Sequence, residues 1–157
     1  MLPILIVDDA REDIALAARA LVHGRVKVCG LTREGVASFA ASSGATHAGI
    51  IFAEASKRKA GGNASDMADA ARRSGAKTVG VFQDQDPAIV VATATALGLD
   101  AVQLHGSETG LSELKDRLPE TCELWATSPV GNEVMLERAG ADPILYDTQK
   151  YGRTGGT

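Results

Sequence analysis

Aromatic side chains are nearly missing: three Phe, two Tyr and one Trp make up 4% of 157 residues. That removes the stacking platforms on which single-stranded nucleic acids are held. Basic clusters are equally scarce. The net charge is −4, and the one basic run, Lys57-Arg58-Lys59, is too short to span several phosphates, so no nucleic-acid partner is expected. No apolar run approaches the ~20 residues that cross a bilayer, so no membrane partner is expected either. The opening Leu2-Pro3-Ile4-Leu5-Ile6-Val7 is only a strand's length and runs into Asp8-Asp9, unlike a secretory signal. Cysteine is limited to Cys29 and Cys122, far apart and without a second ligand at metal spacing. Neither a disulfide framework nor a metal site is expected, and a reducing cytoplasm is.

What is present is an ordinary globular balance, 45% apolar and 23% charged, in a chain long enough for one domain with a substantial core. Two periodicities alternate along it. Strands are predicted over Ile4–Val7, Val26–Cys29, His47–Phe52, Lys77–Phe82, Ala101–Leu104, Glu123–Ala126 and Ile144–Tyr146. Between them, helices are predicted over Glu12–Val22, Glu34–Ser42, Ala64–Arg73, Ile89–Leu97 and Leu111–Leu118, several ended by glycine. Strand and helix alternating at roughly 25-residue intervals define βαβ units and a parallel sheet. Periodicity leaves open whether that sheet is doubly wound or closed into a barrel.

Two strands end abruptly in reactive groups followed by glycine: Lys27-Val28-Cys29-Gly30 and Gln103-Leu104-His105-Gly106. The carboxyl ends of parallel strands are where ligands sit in such folds, so a small-molecule active site is expected there. Cys29 by type is most often a small buried core residue. Its place at a strand end favours chemistry, with Lys27 on the same strand face by period two. An unperturbed thiol, of pKa about 8.5, needs such a cationic neighbour to act as a base near neutrality.

From Lys27 onward the ordered strings Lys27-Val28-Cys29-Gly30-Leu31-Thr32, Gly49-Ile50-Ile51-Phe52, Ser56-Lys57-Arg58, Val79-Gly80-Val81-Phe82, Gln103-Leu104-His105-Gly106 and Tyr146-Asp147 resemble the phosphoribosylanthranilate isomerase family of tryptophan biosynthesis. The resemblance implies an α/β fold of the (β/α)8 TIM-barrel type, here an incomplete barrel over residues 26–157 lacking the last strands. Residues 1–25 separately resemble the last βα unit of indole-glycerol-phosphate synthase, which some bacteria fuse ahead of the isomerase. The implied reaction is an Amadori rearrangement of a small-molecule phosphosugar by acid–base catalysis, with no cofactor.

By that resemblance Cys29 matches the general base and Asp147 the general acid, a residue that by type is also a common turn or cap aspartate. Lys27 assists at the site, and Arg58 matches an arginine that takes the anthranilate carboxylate. Gln103 and His105 match residues beneath the substrate. Gly155 and Gly156 match the start of a phosphate-binding glycine loop, within which the sequence stops. Lys57, Val36 and Ala126 stand where the family has proline, an acidic residue and lysine. Cys122 and Trp125 match no functional position and are expected in the core.

Two alternatives accompany the isomerase. One is an inactive partial barrel, a fragment of a bifunctional synthase/isomerase, whose open edges are expected to pair with a second copy. Within it, Ile4–Gly24 standing in for the eighth βα unit is disfavoured; that arrangement requires Ile4–Val7 to pair parallel with Val26–Cys29. The other alternative is a phosphorylation receiver domain, which Ile4-Leu5-Ile6-Val7-Asp8-Asp9 resembles. It fails because Ile50-Ile51-Phe52-Ala53-Glu54, about 45 residues on, offers no aspartate to complete a magnesium site.

Overall fold

The computed structural model of the chain describes residues 4–7, 24–105, 110–129, 140–142 and 144–147. Among the described residues seven strands are formed: β1 (Ile4–Val7), β2 (Arg25–Cys29), β3 (His47–Ile51), β4 (Lys77–Gln83), β5 (Ala101–His105), β6 (Glu123–Pro129) and β7 (Ile144–Asp147). Between them lie α1 (Glu34–Ser42), α2 (Ala64–Arg73), α3 (Pro87–Leu97) and α4 (Leu111–Arg117). The helix expected over Glu12–Val22 lies outside the described residues. No described helix is long and apolar enough to cross a membrane.

All six strand pairings are parallel and the order is β1 to β7 without reversal. A doubly wound sheet reverses its strand order at a switch point, so the sequential order selects the barrel type. Curvature follows from the side chains. Strands three apart in a flat sheet stand ~14 Å from each other. Yet Lys27 of β2 reaches Gln103 of β5 at 2.7 Å, and the His47 ring of β3 packs on Trp125 of β6 with centroids 5.2 Å apart. One strand further, Arg25 of β2 meets Glu123 of β6 at 2.8 Å. The sheet is rolled, and these residues fill its concave interior.

The other face carries the helices. Val28, Ala48 and Ile50 pack with Ala37, Ala40, Met67 and Ala71 under α1 and α2. Phe82, Val102, Leu104 and Leu124 pack with Val90, Ala94, Leu111 and Leu114 under α3 and α4. Strands so buried on both faces read as nearly continuous apolar runs, which is why each was legible. In α3, Pro87 takes the first helical position, Asp86 accepts a capping bond from Ala88 N at 2.7 Å, and left-handed Gly98 closes the last turn.

One sequence expectation is reversed. β1 pairs parallel with β2 in the register Ile4↔Arg25 to Val7↔Val28, the arrangement disfavoured above. Without β1, the outer edge of β2 would present unpaired backbone groups, and Ile4–Val7 is an apolar strand within crossover reach.

The amino-terminal end of the roll is held by a polar clasp. Glu123 accepts from Arg25 Nη1 at 2.8 Å and from Trp125 Nε1 at 2.7 Å. Burial alone would raise its carboxyl, but the bonds from Trp125 and Arg25 outweigh that and hold it below the usual range. Glu123→Ala leaves a buried indole N–H without its acceptor and should cost about 1–3 kcal/mol, read as a lower urea midpoint.

His47 lies in the same plug, 4% exposed. Burial first, with the charges of Arg25 and Lys77 adding, pushes its imidazole from 6.5 down to about 4. The folded ring stays neutral while the unfolded chain gains a proton below its ordinary pKa. The neutral ring's stabilisation is therefore whole above pH ~6.5 and drains as pH falls toward the folded value, by at most about 3 kcal/mol. Urea midpoints should decline over that interval, and His47→Gln should flatten the decline. An unchanged slope in the variant would rule out this ring as the cause.

Candidate active site

Period two puts Lys27 and Cys29 on the inner face of β2, and Gln103 and His105 on the inner face of β5. The roll then joins the two pairs. Lys27 Nζ donates to Cys29 Sγ at 3.1 Å and to Gln103 Oε1 at 2.7 Å. Gln103 Nε2 lies 2.7 Å from His105 Nε2. Lys27 is 0% exposed and Gln103 2%, so the line is buried along its middle. Cys29 packs beside Ile51, Ala53 and Val81 at the carboxyl ends of neighbouring strands. Four of the sequence-named residues thus form one hydrogen-bonded chain.

Arg58 arrives from the loop after β3, which turns back so that Ala60 N donates to Ile51 O at 2.7 Å. Its side chain lies across Gly30: a Cβ built there would stand 2.9 Å from Nη1 and 3.0 Å from Cζ. Gly30 also has φ +76, a conformation that favours glycine, and its amide turns back to Gly49 O at 3.1 Å. The glycine after the thiol is therefore what leaves room for the guanidinium over the β2 end.

Asp147 ends β7, paired with Pro129 in the ladder. Since every pairing is parallel, that end lies on the same sheet edge as Cys29. Gly155 and Gly156 lie outside the described residues. Val36 and Ala126, where the sequence departs from the resembled pattern, belong to the sheet–helix layers and not to this mouth.

The two thiols are sorted by place. Cys122 is wholly buried beneath the helices, and burial pushes it up to about 11 against the weaker pull of Lys115. It stays a neutral core residue, as expected. Among the described residues, no cluster of three His, Cys, Asp or Glu could hold a metal ion.

Gly49 is the position in this cluster that sequence reasoning missed. A Cβ there would stand 2.9 Å from Lys27 Cε and 3.1 Å from Cys29 Sγ. A glycine inside a strand with no turn to make is the signal that pointed to it.

Fold and site together define a (β/α)8-class chain with its reactive groups gathered at the carboxyl ends of the strands. The family model for N-(5'phosphoribosyl)anthranilate (PRA) isomerase matches residues 26–157, and the chain belongs to that family. It is 35% identical to the tryptophan biosynthesis protein TrpCF of Haemophilus influenzae, over 93% of this chain and 32% of that protein. To the N-(5'-phosphoribosyl)anthranilate isomerase of Chlamydia caviae it is 37% identical, over 82% of this chain and 64% of that protein. The crystal structure of phosphoribosyl anthranilate isomerase from Thermotoga maritima superposes with a TM-score of 0.59 at 33% identity, covering 85% of this chain and 66% of that one. The chain spans about a third of the length of its TrpCF relatives.

Gly49→Ala should displace Lys27 from Cys29 and cost about 1–3 kcal/mol in urea unfolding. Gly35→Ala in α1, where nothing lies within 4 Å, is the control and should be neutral or stabilising by up to about 1 kcal/mol.

Proposed function

We propose that these residues supply the proton-abstracting side of an isomerase site that converts N-(5-phosphoribosyl)anthranilate to 1-(2-carboxyphenylamino)-1-deoxyribulose 5-phosphate in tryptophan biosynthesis. The observation that carries the proposal is Lys27 Nζ at 3.1 Å from Cys29 Sγ, at the carboxyl end of a barrel strand. A cation donating to sulfur is the surrounding in which a thiol serves as a base near neutrality.

Asp147 donates a proton to the ring oxygen of the furanose. The C1–O bond breaks as the anilino nitrogen lends its electron pair, giving a Schiff base. Cys29 removes the proton from C2, and the electrons move through C1 onto nitrogen. The resulting enol-amine takes a proton at C1 and loses one from the C2 hydroxyl, leaving the ketose. No oxidant or cofactor enters this balance.

Arg58, lying over Gly30 at the end of β2, is suited to a bidentate pair with the anthranilate carboxylate. Gln103 and His105 form the floor. Backbone amides at Gly155 and Gly156 are assigned to the substrate phosphate, whose binding fixes the reacting carbon against the base.

Residues 1–25 are assigned to the tail of a fused indole-glycerol-phosphate synthase. Support comes from the extent of the matches: 93% of this chain against the TrpCF relative, 82% against the single isomerase. A cytoplasmic setting accords with that pathway. A second reading, a folded but inactive partial barrel, is favoured by β1 occupying the β2 edge where a closing strand would pair.

Loss of anthranilate fluorescence on turnover of phosphoribosylanthranilate tests both. In a polypeptide carrying the whole isomerase barrel, Cys29→Ala should lower kcat/KM by about 100-fold or more. An undiminished rate in that variant would sink the assignment of the base. Turnover by the 157-residue chain itself, abolished by the same substitution, would dispose of the inactive reading.

A further inference from the structure

The buried line from Cys29 to His105 has a direction. An ammonium has only protons to give, so the Gln103 atom 2.7 Å from Lys27 Nζ is the carbonyl oxygen. That choice leaves the amide nitrogen facing His105 Nε2 at 2.7 Å. An amide NH2 also only donates. His105 Nε2 must therefore accept with its lone pair, and the ring proton resides on Nδ1. Turning the amide over would set donor against donor at Lys27, where both side chains are buried and the mismatch costs its full penalty.

We propose that Gln103 is a positioning residue: it holds the Lys27 ammonium on Cys29 and, through the same amide, locks His105 as the neutral Nδ1–H tautomer. Along this buried line the positive charge then stays on Lys27 beside the sulfur. His105 stays uncharged at the end of β5. A cation on its ring would stand two hydrogen bonds from Lys27 and repel it. The locking also explains why a glutamine stands here and not a glutamate. A carboxylate accepts from both sides, so it would draw a proton onto His105 Nε2 and neutralise the charge that Lys27 offers to Cys29.

The inference rests on the isomerase reading for its purpose, but its test needs no turnover. Imidazole 15N spectra of the 157-residue chain at neutral pH should show His105 with a pyrrole-type Nδ1 and a pyridine-type Nε2. An Nε2–H tautomer or an imidazolium in the unaltered protein would overturn the proposal, without recourse to any variant. Gln103→Glu should move the proton to Nε2 or charge the ring, whereas a folded variant with an unchanged tautomer would deny Gln103 the role. An inactive protein with His105 protonated at Nδ1 would count against the isomerase reading and leave this one standing.

Discussion

The shared ammonium of Lys27 is the constraint on which the rest turns. A lysine with no exposed surface is costly unless its protons are met, and here two are, by sulfur on its own strand and by an amide three strands away. Satisfying the second forces the sheet to roll. Satisfying the first ties the cation to the one thiol at a strand end. Gly49 is then required, because any side chain on that inner face of β3 would take the volume the lysine stem and the sulfur already use. Fold curvature and site chemistry rest on the same pair of hydrogen bonds.

The two ends of the roll divide the work. At the amino-terminal end, Arg25, Glu123, Trp125 and His47 form a plug whose members belong to β2, β6, β6 and β3. Arg25 and Trp125 both donate to Glu123 and His47 packs against the indole, so these groups tie β2, β3 and β6 together and serve curvature. At the carboxyl end, Gly30 and a returning loop seat Arg58 over the end of β2, and the apolar side chains Ile51, Ala53 and Val81 pack with Cys29. This is the division between a stabilising face and a functional face that parallel barrels share.

Much of this was legible because it is local. Apolar runs covered on both faces announced every strand, and period two placed Lys27 with Cys29 and Gln103 with His105. Strand ends were missed by one to three residues where the ladder continues past the apolar run, as in Gln83↔His105 and Pro129↔Asp147. The start of α3 was missed because proline at its first position reads as a break. What could not be read was anything that depends on curvature. The contacts Lys27–Gln103, Arg25–Glu123 and His47–Trp125 join residues 76 or more apart, and nothing local to those stretches of sequence announces them. His47 in particular looks like any strand residue until the roll buries it against indole.

The placement of β1 follows the same logic at the level of whole strands. A parallel ladder asks its neighbour for backbone donors and acceptors in extended conformation, and for little else. Ile4–Val7 meets that demand although it falls outside the residues matched by the isomerase family. Specificity enters through register. Val7 pairs with Val28. On the other side Cys29 is paired with Gly49 of β3, whose missing side chain leaves room for the sulfur and the Lys27 stem. The backbone of the inner neighbour thus fixes the thiol's strand, and the approach from the carboxyl end is left to be shaped by side chains.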